Sequence, residues 1–425
     1  MCIQRDSNGA FSRAVGWRSL KSGMALVLLL GLGATASWSW AQATGVTDQT
    51  IRIGANMPLE GDRKTNALAL KRGIEAALIG QSVQGRRFEF VAINDFYDPT
   101  KAIDVVRQLI EKGIFLMLGG YGTPTTKAIL PVLAENKTPA VGFYTGAAFT
   151  GPGDVLNFRT SYSGEVESVI SAALAAGVKP TEVCMYAQND ALGVSGIKGL
   201  RTALSKRPGA AAIVAKLDQI LDMPGNQPAR NHIGPVGVYQ RDTVNARDGY
   251  VSLKKWEEAN GSRCRLVAMM AVYDAATAFM AYARYKGETW IFSTTSNAAG
   301  NTMQSLLKEQ GITDKVIATQ IVPALDSSLA VVVEARKALG QDLDQVSLEG
   351  YLVGKMFLAI MFAIDGPLTR ENFLKAAHRQ PYDIGGIKID FTTDNQGSDF
   401  VLVTYLKEGE FTAVAAHGLE SLFKQ

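Results

Sequence analysis

From Thr50 onward the chain alternates between short apolar runs and amphipathic stretches of helical period. "IRIGANM" (51–57) reads as a strand, and the helix predicted after it has Leu70, Ile74, Ala77 and Leu78 on its apolar face. "FEFVAI" (88–93) is a second strand. Asp98-Pro99 then supplies an N-cap and a proline at the first helical position, opening a helix with Ile103, Val106 and Ile110 on one side. "FLMLG" (115–119) and "PAVGFY" (139–144) read as strands three and four, separated by a helix that begins at Pro124. Parallel neighbours need a crossover, and each intervening helix supplies one. The pattern therefore dictates an α/β architecture with a parallel sheet, right-handed crossovers and helices on both faces.

A second series on the same plan starts after "NFRTSYSGE" (157–165), with a helix running to about Gly177. Its strands are predicted at "EVCMYA" (182–187), "IVAKL" (213–217), "LVAMMA" (266–271), "TWIFS" (289–293) and "VIATQIV" (316–322). At 425 residues the chain is long enough for two such cores. The interval from Leu217 to Leu266 is too long for one helix and two turns. Its Pro-, Gly- and Asn-rich stretch "LDMPGNQPARNHIGPVG" (221–237) reads as part of an irregular insertion over 221–250. Helices resume near Leu348 and Thr369, and strands "IKIDF" (387–391) and "FVLVTYLK" (400–407) follow.

The first forty-odd residues differ in character. Arg13, Arg18 and Lys21 precede the apolar run "MALVLLLGLGATA" (24–36), and "AQA" (41–43) places small residues where a signal peptidase reads. The run is shorter than the ~20 residues a bilayer span needs. Residues 1–43 are therefore expected to be an export signal cleaved after Ala43, with a retained membrane anchor as the alternative; cleavage would release the mature protein into an oxidising export compartment, the periplasm on the resemblance given below. That leader holds four of the 43 Lys and Arg residues and one of the 40 acids, leaving 39 of each and no net charge. No basic surface argues for a nucleic-acid partner. Cys184 and Cys264 are the cysteines that survive cleavage, in a compartment where a disulfide can form.

Several chemistries are excluded by missing residues. "GGYGTPTT" (119–126) lacks the lysine of a phosphate-gripping Walker loop, and no Gly-x-Gly-x-x-Gly follows the first strand. "GVSGI" (193–197) resembles a nucleophile elbow but has Ile197 at the last glycine position. The three histidines, at 232, 378 and 417, have neither metal-ligand spacing nor an obvious carboxylate partner, so neither a metal nor another cofactor is expected. Cys184 lies in an apolar strand and reads as buried structure rather than nucleophile.

What remains is the loop itself. Thr123-Pro124 forms a helix start, with Thr123 as expected N-cap and Thr125 and Thr126 in the first turn. The first amides of such a helix lack internal partners and sit at the positive end of its dipole. An anion there would gain backbone N–H bonds plus the Thr123 hydroxyl, while Gly120 and Gly122 let the backbone approach. The competing reading is that Thr123 only caps its own helix.

Taken in order, these segments resemble the periplasmic solute-binding proteins of ABC importers, branched-chain amino-acid-binding type. "IRIGANMPLEG", "NDFYDPTKAIDVVRQLIEKG", "GGYGTPTTKAILPVLAENKTPAVGFYTGAAFT", "FRTSYS", "GGIKIDFTTDNQGSD" and "VTYLKEGEF" carry the resemblance, which spans nearly all of residues 50–411. It implies two Rossmann-like lobes with parallel central sheets joined by three hinge crossovers, the type I periplasmic binding protein fold. Lobe 1 would comprise 48–162 plus 326–380, and lobe 2 would comprise 163–325 plus 381–425. It further implies a non-enzymatic monomer that closes on a small-molecule ligand and delivers it to a membrane permease and ATPase complex. On this resemblance the ligand carboxylate meets Thr123, beside Tyr121 and Gly122, and the backbone at Tyr144, Thr145 and Gly146. Met57 to Gly61, including Leu59 and Glu60, and Tyr273 would flank the ligand's other end. Tyr162, like Tyr121, Phe143, Tyr144 and Tyr273, falls on a segment expected to border the cleft.

The departures from the family pattern narrow the ligand. Amino-acid binders place acids near the ligand ammonium, yet the corresponding positions here are Gly164 and Thr295, and Leu192 stands where a tyrosine is usual. Burying an ammonium without a carboxylate is costly. Glu60 or Glu349 would compensate only by facing the cleft, and each reads rather as a surface or hinge residue. The expected ligand is therefore an organic or aromatic acid rather than a plain branched-chain amino acid. On the implied sheet order Cys184 and Cys264 start neighbouring strands, which makes a disulfide between them feasible. A ligand sensor for a signalling receptor is the alternative function, and a periplasmic α/β enzyme a third.

Overall fold

The computed structural model describes residues 44–424 except 151–152 and 226–228, so the expected leader and its cleavage site lie outside the described residues. In the first lobe, β1 (Thr50–Met57), α1 (Lys64–Leu78), β2 (Ser82–Val83), β3 (Arg86–Asn94), α2 (Pro99–Glu111), β4 (Met117–Leu118), α3 (Thr123–Glu135), β5 (Ala140–Val141) and β6 (Val155–Leu156) follow one another. They build a sheet of order β2-β3-β1-β4-β5-β6. The central strand β1 runs parallel to β3, from Thr50 opposite Arg87 to Met57 opposite Asn94, and parallel to β4 at Gly54 opposite Met117. Asp98 caps α2 as expected, accepting from the Thr100 and Lys101 amides at 2.7 and 3.0 Å. The buried stripe of that helix is Ala102, Val105, Val106 and Leu109, with Ile103 and Ile110 at its margin. Strands β4 and β5 are shorter than expected because left-handed glycines, Gly119 and Gly142, turn the chain out of the ladder. A Cβ on Gly142 would lie 2.4 Å from Val353, so no larger residue fits that turn.

The second lobe runs through α4 (Tyr162–Ala175), β7 (Val183–Gln188), α5 (Ala191–Ser205), α6 (Ala211–Leu221), β8 (Val236–Tyr239), α7 (Arg247–Asn260), β9 (Leu266–Met270), α8 (Tyr273–Tyr285), β10 (Ile291–Thr294), α9 (Asn301–Glu309) and β11 (Val316–Gln320). Two expectations fail here. "IVAKL" is helix, not strand: Ile213, Leu217 and Ile220 of α6 are buried at helical spacing, and the β-branched pair Ile213-Val214 gave the misleading strand appearance. The missing strand is β8, which lies inside the stretch read as an irregular insertion and pairs in parallel with β7, from Met185 opposite Val236 to Gln188 opposite Tyr239. Residues 221–250 are thus a strand and the start of α7 with their connections, part of the regular lobe.

The chain returns through α10 (Ala330–Leu339), α11 (Gln345–Phe362), α12 (Arg370–Arg379), β12 (Tyr382–Asp383) and β13 (Lys388–Ile389), then ends in β14 (Leu402–Lys407), β15 (Glu410–Ala413) and α13 (Ala416–Leu422). The second sheet has the order β15-β14-β11-β10-β9-β7-β8, with β14 antiparallel to β11. Tyr382, Ile384, Ile389 and Phe391 pack into the first lobe's core, so residues 382–391 belong with that lobe rather than the second. Helix α11 is apolar and long enough by composition to cross a membrane, but 78% of it is buried against its neighbours. The 157–162 crossover lies beside the last one: the Asn157 amide donates to the Asn395 carbonyl at 2.9 Å and the Gly397 amide to the Asn157 carbonyl at 2.7 Å. The fold is thus two α/β lobes with mostly parallel sheets joined by three crossovers. Cys184 and Cys264 form a disulfide, with Cα atoms 5.8 Å apart, tying β7 to the approach to its neighbour β9.

Candidate functional site

Helix α3 does not start as expected. Its N-cap is Gly122, in a left-handed conformation at φ 99°, and Thr123 is the first helical residue with no capping hydrogen bond. A Cβ on Gly122 would fall 2.5 Å from the Tyr97 ring. Because glycine takes the cap position, the Thr123 hydroxyl is free to face the neighbouring loop, where it shares a hydrogen bond of 2.7 Å with the Thr145 hydroxyl. Both threonines are buried. The two loops are joined along their backbones: the Tyr144 amide donates to Gly120 at 2.7 Å and the Gly122 amide to Tyr144 at 3.3 Å. Asn157 Nδ2 holds the Thr145 carbonyl at 2.6 Å, and the Tyr162 amide holds the Gly146 carbonyl at 2.6 Å. Gly146 is required there, since a Cβ would lie 2.8 Å from the Tyr162 ring. The Thr126 hydroxyl, one turn into α3, is buried without a hydrogen-bond partner.

Aromatic rings surround this end. Tyr121 stacks on Tyr144 with centroids 4.8 Å apart and planes at 6°, and Tyr97 meets Tyr121 edge-on at 6.2 Å. Burial raises the Tyr121 and Tyr144 hydroxyls well above the usual tyrosine range and pushes Tyr162 up to about 12, so all three are neutral donors. From the other lobe, the Tyr273 hydroxyl donates to the Asp62 carbonyl at 2.5 Å, beside the half-buried Leu59.

The acids sit in different settings. Glu60 is exposed. Glu349 is buried and receives both Nε and Nη2 of the fully buried Arg159, at 2.8 and 2.5 Å. The same guanidinium lies 4.4 Å over the Tyr144 ring and donates through Nη1 to Tyr162 and Ser296, each at 3.2 Å. Gly164 carries no acid, but its neighbour Glu165 is fully buried. Glu165 accepts from the Ser296 amide and hydroxyl, both at 2.8 Å, and from the Thr319 hydroxyl at 2.5 Å. Burial raises both carboxyls, with Arg159 pulling back toward the ionised form. Thr295 donates to Asn297 Oδ1 at 2.5 Å. Each buried acid in this region is therefore already engaged by protein donors.

Arg63 escaped the sequence reading, because "EGDRKT" looks like a solvated turn before a helix. It is 7% exposed, reaches across to Asp274 of the second lobe at 2.6 Å, and lies 5.6 Å over the Tyr273 ring. Tyr97 and Tyr121 are also within its electrostatic reach. Asp95, also missed, accepts from Asn56 Nδ2 at 2.8 Å and the Tyr97 amide at 2.9 Å, and burial raises it to about 6.

Known proteins carry the same architecture. Residues 50–217 match the sequence profile of a family described as periplasmic binding protein. A structure titled a possible leucine/isoleucine/valine-binding protein from Rhodopirellula baltica SH 1 is 25% identical, covers 89% of this chain and all of its own, and superposes with a TM-score of 0.74. A fatty acid ABC transporter substrate-binding protein from Thermomonospora curvata is 16% identical over 89% of this chain and 96% of its own, at 0.68. An ABC-transporter solute-binding protein from R. palustris in complex with benzoate is 14% identical over 86% and 96%, also at 0.68. No match emerged among curated proteins. The profile match over residues 50–217 and the solved structures agree that the chain has the two-lobed α/β fold of the type I periplasmic binding proteins, and in both sequence profile and fold it is similar to the leucine/isoleucine/valine-binding proteins.

Proposed function

We propose that this protein is the periplasmic substrate-binding subunit of an ABC importer, capturing a small carboxylate-bearing solute between its lobes and delivering it to a membrane permease and its ATPase. The observation that carries the reading is the Thr123–Thr145 hydroxyl pair at the amino end of α3, where glycine rather than threonine takes the cap. A carboxylate seated there receives hydroxyl donors, helix-terminal amides and the partial positive charge of the helix. Tyr121, Gly122, Tyr144, Gly146 and Tyr162 shape that end, and Leu59, Tyr273 and Thr295 border the rest.

An organic or aromatic acid fits better than an amino acid. An ammonium group needs a free buried carboxylate, and Glu165 and Glu349 are taken by Ser296, Thr319 and Arg159. Closure follows from hinge motion at the three crossovers, and no bond is made or broken in the ligand. A thermal-shift panel of matched acids, amides and amino acids tests this. The acids should raise the melting temperature, and stabilisation confined to amino acids or amides would refute the carboxylate reading.

A further inference from the structure

Arg63 carries more than a packing role. It is a buried cation on the loop after β1, and Tyr97 and Tyr121, which are within its electrostatic reach, also adjoin the Thr123 loop. Asp274 is close, but its side chain is 28% exposed and the contact at Arg63 Nη1 is poorly directed for a hydrogen bond, leaving that buried donor without an acceptor. A guanidinium offers five donors in a planar fork, and Nη1 is the group left here without a well-directed acceptor. Tyrosine rings supply a flat apolar wall beside it.

We propose that Arg63 receives a second acidic group, so that the ligand is a small diacid: one carboxylate at Thr123 and Thr145, the other at Arg63, with the connecting carbon skeleton against Tyr97, Tyr121 and Tyr273. The proposal rests on the carboxylate reading of the α3 end and specifies the opposite end of the ligand. Asp274 then acts as a competitor for Arg63: it holds the side chain toward the second lobe and yields to a bidentate carboxylate. A bidentate pair in a buried setting is the geometry arginine favours over lysine.

The alternative role for Arg63 is a latch between the lobes, made with Asp274 alone, and the two roles give opposite results in one pair of variants. Isothermal titration with matched probes, benzoate against terephthalate and butyrate against glutarate, is carried out on the wild type, Arg63→Met and Asp274→Asn. In the wild type the diacid of at least one pair should bind roughly tenfold or more tighter than its monoacid. Arg63→Met should abolish that preference while leaving monoacid affinity nearly unchanged. Asp274→Asn should enlarge the preference, because it removes the competing carboxylate. Melting temperatures of both variants show that each is folded. Equal affinity for diacid and monoacid in every pair, or parallel changes in the two variants, overturns the diacid assignment and leaves a latch. Failure of all four acids to bind would overturn the carboxylate reading and the diacid assignment with it.

Discussion

Thr123 and Thr145 are 22 residues apart in sequence yet share a hydrogen bond of 2.7 Å between their hydroxyls, at the point where α3 meets the loop after β5. Neither hydroxyl is used to cap a helix; one proton of the pair is spent in this bond, the Thr145 oxygen also accepts from the Ala147 amide at 3.2 Å, and the proposed carboxylate would take the proton that remains. Thr123→Ala should weaken binding of the carboxylate ligand by about 1–3 kcal/mol, the range for losing a bond to a charged group. Thr123→Val, which keeps the shape, should do the same with little change in melting temperature. Unchanged affinity by calorimetry in both variants would remove Thr123 from the site.

Arg159 and Glu349 form a fully buried bidentate pair that links the first crossover to α11. Removing one partner leaves a buried charge, so Glu349→Leu should cost about 3–5 kcal/mol in urea unfolding. The double variant Arg159→Met with Glu349→Leu should cost clearly less than the sum of the two single variants, since both charges leave together. Additive costs would show that the two side chains act independently.

The disulfide closes a loop between residues separated by 80 positions. Removing such a link by Cys184→Ala with Cys264→Ala should lower stability by about 2–5 kcal/mol. Both cysteines are buried, so reductant should act on the native protein slowly and mainly through unfolding. Labelling that finds two free thiols in the folded, unreduced protein would contradict the bond.

Stability should fall as pH rises from about 4 to about 6. Asp95 is raised from its ordinary value to about 6, chiefly by burial, with the Tyr97 amide and Asn56 pulling the other way. Across that window the native state keeps a proton the unfolded chain has released, so the unfolding free energy declines with pH, by on the order of 3 kcal/mol from this group. Burial also raises Asp190, Glu165 and Glu349, which act in the same direction. Asp95→Asn should flatten the slope, because the amide has no proton to titrate, and the Asn56 amide can rotate to offer its unpartnered Oδ1 to the new amide and keep the site satisfied. An unchanged slope in denaturant titrations between pH 4 and 7 would assign the proton elsewhere.

The alternation of apolar runs with helical periods was enough to read the two-lobed α/β plan, since β1, β3, β7, β9, β10 and β11 fall on predicted strands. The failures have physical causes. Ile213 and Val214 look like strand but sit on a helix whose buried face repeats at 213, 217 and 220. The four-residue strand β8 is too short to stand out between prolines and glycines. At the site, the "GGYGTPTT" loop was legible as a strand–glycine–helix junction, but the cap is Gly122, because left-handed backbone there leaves no room for a side chain beside Tyr97. Arg63, Asp95 and Glu165 were invisible because their neighbours come from distant segments: Asp274, Asn56 and Thr319. Polar residues in a turn look solvated until tertiary packing buries them.

The most direct test of the central claim is identification of the solute that the protein retains when purified from its own host without unfolding. Native mass spectrometry, followed by release under denaturant, should yield a small organic acid that carries a carboxylate and no amine. Recovery of a branched-chain amino acid, or of a solute without any acidic group, would contradict the account.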